Sequence, residues 1–177
     1  MAALFADVAG STALAERLDP EDVREVVGDA VRLMIDSVDH FGGTVKDVAG
    51  DGVLAFFGAP VAHEDDIERA VLAGLEIQRS IAPHAEAVRR DHGIDSFGVR
   101  VGIESGLVVT GPVGGGSRVE YGATGDAVNV AARLQARGPI GSVLVGPRAH
   151  AEVEPLFTWS EPRALELVGK AEPVHAA

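Results

Sequence analysis

Cysteine is absent from the 177 residues, which excludes disulfides and thiolate metal sites. Aromatic residues are few, and the single tryptophan, Trp159, and single tyrosine, Tyr121, are read as packing residues. Basic residues are also in short supply: 15 Lys and Arg stand against 27 Asp and Glu, for a net charge of −12. No basic stripe is available to neutralise a phosphate backbone, so a nucleic-acid partner is excluded. The acidity itself serves solubility. No apolar run approaches the ~20 residues that span a bilayer. The longest, residues 52–62, is interrupted by glycine and proline, so no membrane partner is expected within this segment. The N-terminus has no basic residues ahead of its apolar ones and does not read as a secretory signal. A cytoplasmic location is the default expectation.

What remains is a chain with 46% hydrophobic residues, enough for one core, and a length suited to one domain over residues 1–177. It begins inside an apparent strand and stops soon after one, as a domain excised from a longer protein would. Residues 4–8 predict a short buried strand, broken at Gly10, with Ser11 or Thr12 available to cap a helix. Pro20, Glu21 and Asp22 open a second helix, whose apolar positions from Val23 to Val38 follow helical spacing up to Gly42 and Gly43. Residues 44–48 and 52–57 read as a hairpin around Gly50 and Asp51. A long amphipathic helix is expected over 63–92, strands over 97–103 and 107–110, and a glycine-rich loop at 114–117. A helix over 126–136 and a strand over 142–145 follow, with weaker strands near 156–160 and 164–168. This order predicts an α+β fold of ferredoxin-like, split βαβ type: an antiparallel-rich sheet with helices on one face.

Asp7 ends a buried strand and Asp51 sits at a hairpin tip. A carboxylate beside apolar strands is costly unless paired or metal-bound, and two together repel unless a cation lies between them. Such hard oxygen ligands suit Mg²⁺ or Mn²⁺ bound with substrate phosphates. Taken singly, Asp7 reads first as a cap of the following helix and Asp51 as a turn residue. Asn129 and Arg133, at i and i+4, share one helical face and offer a neutral hydrogen-bonding group and a cationic fork for phosphate; a solvated face is the plainer reading. The run His63 to Asp66 reads as an acidic helix start rather than a metal cluster. The loop 114–117 lacks the lysine and the context of a P-loop.

Five stretches, in order, resemble the catalytic domain of class III adenylate and guanylate cyclases. They are LFADVAGST from Leu4, GDGVLAFFG from Gly50, RVGI from Arg100 with Gly106, GDAVNVAARL from Gly125, and LVGK ending at Lys170. The resemblance implies a nucleotidyl cyclase that turns ATP or GTP into a 3′,5′-cyclic nucleotide. Two ions, Mg²⁺ or Mn²⁺, would be held by Asp7, the Val8 main chain and Asp51. The phosphates would lie against the amides of Ala9, Gly10, Ser11 and Thr12, and Lys170 would contact the terminal phosphates. Asn129 would orient the ribose and Arg133 would stabilise the transition state. In the family the last two serve the metal aspartates of a partner, so a homodimer is implied.

The purine-reading positions depart from the family pattern. Adenylate-forming members place a lysine four residues before the second metal aspartate, where this chain has Asp47. Lys46 stands one step earlier, which in a regular strand points to the opposite face unless a bulge shifts the register. At the second position the chain has Gly122. Asp47 with Gly122 leans toward guanine, whose N1–H and N2–H₂ donors suit a carboxylate. A cyclase-like domain of little activity, binding nucleotide or dimerising as a regulator, is the alternative that this departure leaves open.

Overall fold

Alternating burial along the first strand sets the layers of the molecule. In β1 (Ala2–Ala9), Leu4, Ala6 and Val8 face one side of the sheet and Ala3 and Phe5 the other. The computed structural model describes residues 1–107, 109–113, 120–165 and 174–177. After β1 come α1 (Ser11–Arg17), α2 (Pro20–His40), β2 (Thr44–Ala49), β3 (Gly52–Phe57), α3 (Asp66–His92), β4 (Gly98–Ser105), β5 (Val109–Val113) and β6 (Glu120–Thr124). Then follow α4 (Asp126–Arg137), β7 (Val143–Val145), α5 (Pro147–Val153), a 3₁₀ turn (Glu154–Leu156), β8 (Arg163–Leu165) and β9 (Val174–Ala176).

The main sheet has five strands in the order β2-β3-β1-β4-β7. Only β4 and β7 run parallel; the other pairings are antiparallel. The α+β, antiparallel-rich class is therefore as expected. The helices, however, do not all share one face. The large core beneath Leu4, Ala6, Val8, Val99, Val101 and Ile103 receives α2 and α3, through Met34, Val38, Ile77 and Ile81 among others. On the opposite face Ala131 and Val128 of α4 pack on Ala3, Phe5, Leu54 and Phe56. Gly102 permits that contact: a side chain there would run into the backbone of Ala131 and Gln135.

Several local readings need amending. The N-cap of α1 is Gly10, at φ 86°, and no side chain caps the helix. A Cβ on Gly10 would collide with the Ser96 carbonyl, so the sharp entry needs glycine, and Ser11 lies inside the helix instead of capping it. Asp19 caps α2, accepting from the amides of Glu21 and Asp22. The long helix begins at Asp66, not His63, because the Asp66 carboxylate turns back to accept the His63 amide and binds Arg69. The expected strand at 156–160 is a 3₁₀ turn running into chain without regular structure, and α5, opened by Pro147 and absent from the sequence reading, precedes it. The glycine-rich loop 114–117 lies outside the described residues, between β5 and β6, which pair as a hairpin.

Candidate active site

Asp7 sits near the end of β1, the central strand, and its register partners are Gly52 on β3 and Arg100 on β4. Gly52 makes room for it: a Cβ there would stand 3.0 Å from Asp7 Oδ1. The tip of the β2–β3 hairpin is tied back to β1 by a hydrogen bond from the Val8 amide to the Asp51 carbonyl, 3.2 Å. The two expected metal aspartates are thereby brought together. Burial, and then the charge of Asp51, hold the Asp7 carboxyl above its ordinary range; Arg100 and a hydrogen bond from the Gln135 side chain oppose this. An Asp7 carboxyl whose ionisation is opposed by burial and by the Asp51 charge fits a cation beside it. Among the described residues no group of three or more His, Asp or Glu could hold a metal ion alone. A two-carboxylate site therefore leaves coordination places for main-chain and substrate oxygens.

Arg100 was read from sequence only as part of a strand motif. Its place beside Asp7 makes it a site residue. It is half-buried, and its Nε is buried without a hydrogen-bond partner among the described residues. Alternation of Val99, Val101 and Ile103 into the core gives the face that Arg100 occupies, and the pairing of β4 with β1, which sequence does not display, puts Asp7 on it.

At the start of α1, Ser11 joins Gly50 and Asp51 in lining a cavity of about 630 Å³ that reaches Leu18, Val23 and Val27. Ala9 is buried and Thr12 is exposed. The first-turn amides of α1, with no side-chain cap, remain available to an anion.

The hairpin carries a bulge where the purine-reading residue was sought. Val45 pairs with Ala55, but the next register pair is Asp47 with Leu54, leaving Lys46 as the extra residue. The expectation that Lys46 must face away from Asp47 thus lapses, since two residues of β2 oppose Leu54. Asp47 lines a cavity of about 200 Å³ with Phe5, Asp7, Leu54 and Gln135. Lys46 is exposed. Gly122 lies in β6 opposite Gly111. Lys170 lies outside the described residues.

Asn129 and Arg133 stand on α4 as the spacing predicted. Ala127, Val130, Ala131 and Leu134 bury the opposite side. Asn129 is exposed and Arg133 half-buried. The charged and polar groups acting on Asp7 within the chain are instead Asp51, Arg100 and Gln135. The chain therefore gathers Asp7, Asp51 and Arg100 at the end of β1 and displays Asn129, exposed, and Arg133, half-buried, on another face of α4. The acidic run at the start of α3 is structural: Arg69 bridges Asp65 and Asp66 and also reaches the Phe41 carbonyl.

Comparison with known proteins bears on the family and the fold. Residues 1–175 match the family model for the adenylate and guanylate cyclase catalytic domain. Adenylate cyclase 1 of Rhizobium meliloti is 35% identical over 133 residues, which are 75% of this chain and 20% of that protein. The adenylate cyclase of Anabaena cylindrica is 29% identical over 138 residues, 76% of this chain and 26% of that protein. The chain thus spans about a quarter or less of the length of these two relatives. The crystal structure of the adenylyl cyclase CyaB from P. aeruginosa superposes with a TM-score of 0.90 at 25% identity, covering 99% of this chain and 90% of that one. That of the guanylyl cyclase Cya2 gives 0.85 at 30% identity, covering 99% and 88%. No helix among the described residues is long and apolar enough to cross a membrane. The chain belongs to the family of adenylate and guanylate cyclase catalytic domains.

Proposed function

We propose that this domain, residues 1–177, cyclises a purine nucleoside triphosphate, ATP or GTP, to its 3′,5′-cyclic nucleotide at a site shared by two copies of the chain. The observation that carries the reading is the juxtaposition of Asp7 and Asp51, with burial and mutual repulsion raising the proton affinity of Asp7. A pair of Mg²⁺ or Mn²⁺ ions held by both carboxylates and the Val8 carbonyl would supply the Lewis acid that activates the ribose hydroxyl and offsets phosphate charge.

The residues of the chain do the rest. The amides of Ala9 to Thr12, at an uncapped helix start, take phosphate oxygens. Arg100, whose Nε has no hydrogen-bond partner among the described residues and whose register partner is Asp7, adds a cation on the same wall. Lys170 is assigned to the terminal phosphates. Asn129 and Arg133 face outward and serve the aspartates of a second copy. There Asn129 orients the ribose, and Arg133 stabilises charge as the 3′ oxygen bonds to the α-phosphorus. The bond from that phosphorus to the bridging oxygen breaks, the hydroxyl proton is lost, and pyrophosphate departs. The reading places the domain in the cytoplasm, with the nucleoside triphosphates.

The bulge bears on the choice of purine. Lys46 and Asp47 together oppose Leu54 and offer one donor and one acceptor. That pair complements N1 and N6–H₂ of adenine, and equally O6 and N1–H of guanine. Gly122 adds no side chain to discriminate between them. Acceptance of both nucleotides follows.

The test is product identification with Mn²⁺ and each triphosphate in parallel. Cyclic product that disappears in Asp51→Ala supports the reading. No cyclic product from either nucleotide, with binding retained, replaces it by that of a nucleotide-binding, non-catalytic domain.

A further inference from the structure

Gln135 belongs to no motif singled out in the sequence, yet it lines the cavity of about 200 Å³ beside β1 and β3 together with Asp7. From there its side-chain amide is a donor that favours the ionised Asp7 carboxyl. The contact is built in by the backbone. Gly102 lets α4 come down on β4 at the turn holding Ala131 and Gln135. Gly102 is the register partner of Phe5, two residues before Asp7. The last turn of α4 is therefore pressed against the sheet next to the metal aspartate.

The same helix carries Asn129 and Arg133. At 3.6 residues per turn, Gln135 is about 120° around the axis from Asn129 and about 160° from Arg133. One side of α4 thus addresses Asp7 of its own chain, while another is turned outward.

We propose that Gln135 is a positioning residue for Asp7, and that α4 is consequently a strut joining the two active sites of the dimer. The inference rests on the shared-site reading above. Gln135 fixes the carboxylate of the site in its own chain; Asn129 and Arg133 complete the site in the other. Outer hydrogen bonds to ligating carboxylates commonly carry about 10–100-fold in metal affinity or activity, so the loss expected on removing this donor is about 10-fold.

A cis–trans mixing experiment tests it. Mixing Arg133→Ala with Asp7→Ala protomers leaves one complete site per mixed dimer, built from the aspartates of the first and the α4 face of the second. Adding Gln135→Leu to the Arg133→Ala protomer places leucine beside the working Asp7. Adding it to the Asp7→Ala protomer places it only on the helix that supplies Arg133. The first combination should lose about 10-fold in activity, with a raised Mn²⁺ requirement, and the second should match the reference mixture. Equal losses in both would mean that Gln135 only supports α4 packing, and would overturn the proposal. A reference mixture without recovered activity would instead count against the shared site. Titration of Mn²⁺ by electron paramagnetic resonance on the Gln135→Leu homodimer then decides the role of Gln135 alone: affinity about 10-fold weaker than wild type supports positioning of Asp7, and unchanged affinity overturns it.

Discussion

The main-chain amide of Val8 donates to the carbonyl of Asp51 across 3.2 Å, and this bond between a strand and a hairpin tip keeps the Asp51 charge near enough to act on Asp7. The backbone thereby imposes a repulsion that the side chains alone would avoid. Asp51→Asn keeps the hairpin and removes the charge. In metal-free protein, the Asp7 carboxyl should then titrate at lower pH than in wild type, because one of the two causes raising it is gone. Carboxyl chemical shifts across an acid titration check this; an unmoved Asp7 would mean that the two acids do not sense each other. Cyclase activity of the same variant should fall by at least about 10²-fold, in the range seen when one transition-state group is removed.

Asn129 and Arg133 contribute little to the fold, since the buried side of α4 is made by Ala127, Val130, Ala131 and Leu134. Asn129→Ala should change stability by less than about 0.5 kcal/mol, as substitutions at exposed positions do. Its turnover, and that of Arg133→Ala, should drop about 10²–10³-fold. Thermal denaturation alongside kcat separates the two effects. A loss of melting temperature matching the loss of rate would move these residues from catalysis to packing.

The ordered motifs of the family resemblance made the candidate positions legible. Asp7, Asp51, Asn129 and Arg133 were picked out by those motifs, whereas taken singly they read as a cap, a turn residue and a solvated helix face. Arg100 and Gln135 were not picked out as site residues. An arginine on the second face of a strand and a glutamine late in a helix are ordinary residues until tertiary contact places them beside Asp7. The cap of α1 escaped for a related reason: besides its left-handed backbone, Gly10 is demanded by the Ser96 carbonyl, 86 residues away in the chain. The bulge at Lys46 was named only as a condition, since strand register depends on pairing that a single strand does not display.

Asp47→Lys tests the hairpin as purine reader. The acceptor that both purines use is lost, but the new lysine can donate to adenine N1, whereas guanine N1–H is itself a donor and meets a cation. The ratio of kcat/KM for GTP to that for ATP should fall by about 10-fold or more, the discrimination typical of one buried hydrogen-bond partner at about 1–3 kcal/mol. An unchanged ratio would remove Asp47 from the nucleotide pocket.

Gly102→Ala should separate α4 from the sheet. The added methyl meets the backbone of Ala131 and Gln135, which cannot yield as a flexible side chain would. A cost of about 1–3 kcal/mol in denaturant unfolding is expected for such overpacking. Activity should fall further than stability alone explains, because Gln135 and Arg133 ride on the displaced helix. Full activity in a destabilised variant would show that the placement of α4 is not critical.

Glu104 is 3% exposed, on the sheet face opposite the main core, and accepts hydrogen bonds from the amides of Ser105 and Ala149 at 2.8 and 2.9 Å. Burial raises its carboxyl above the ordinary range, against those two amides and Arg148. The folded protein thus holds this proton to higher pH than the unfolded chain does. By linkage, the unfolded state releases the proton first, so stability is greatest below the ordinary glutamate range and declines as pH rises through the interval up to the raised value. Glu104→Gln retains an oxygen acceptor for the Ala149 amide and never ionises. Unfolding curves at pH 4 and pH 8 should therefore show wild type losing stability, relative to this variant, as pH rises. A difference that stays constant, or changes in the other direction, would mean that the two amides outweigh burial and that Glu104 is held ionised in the fold.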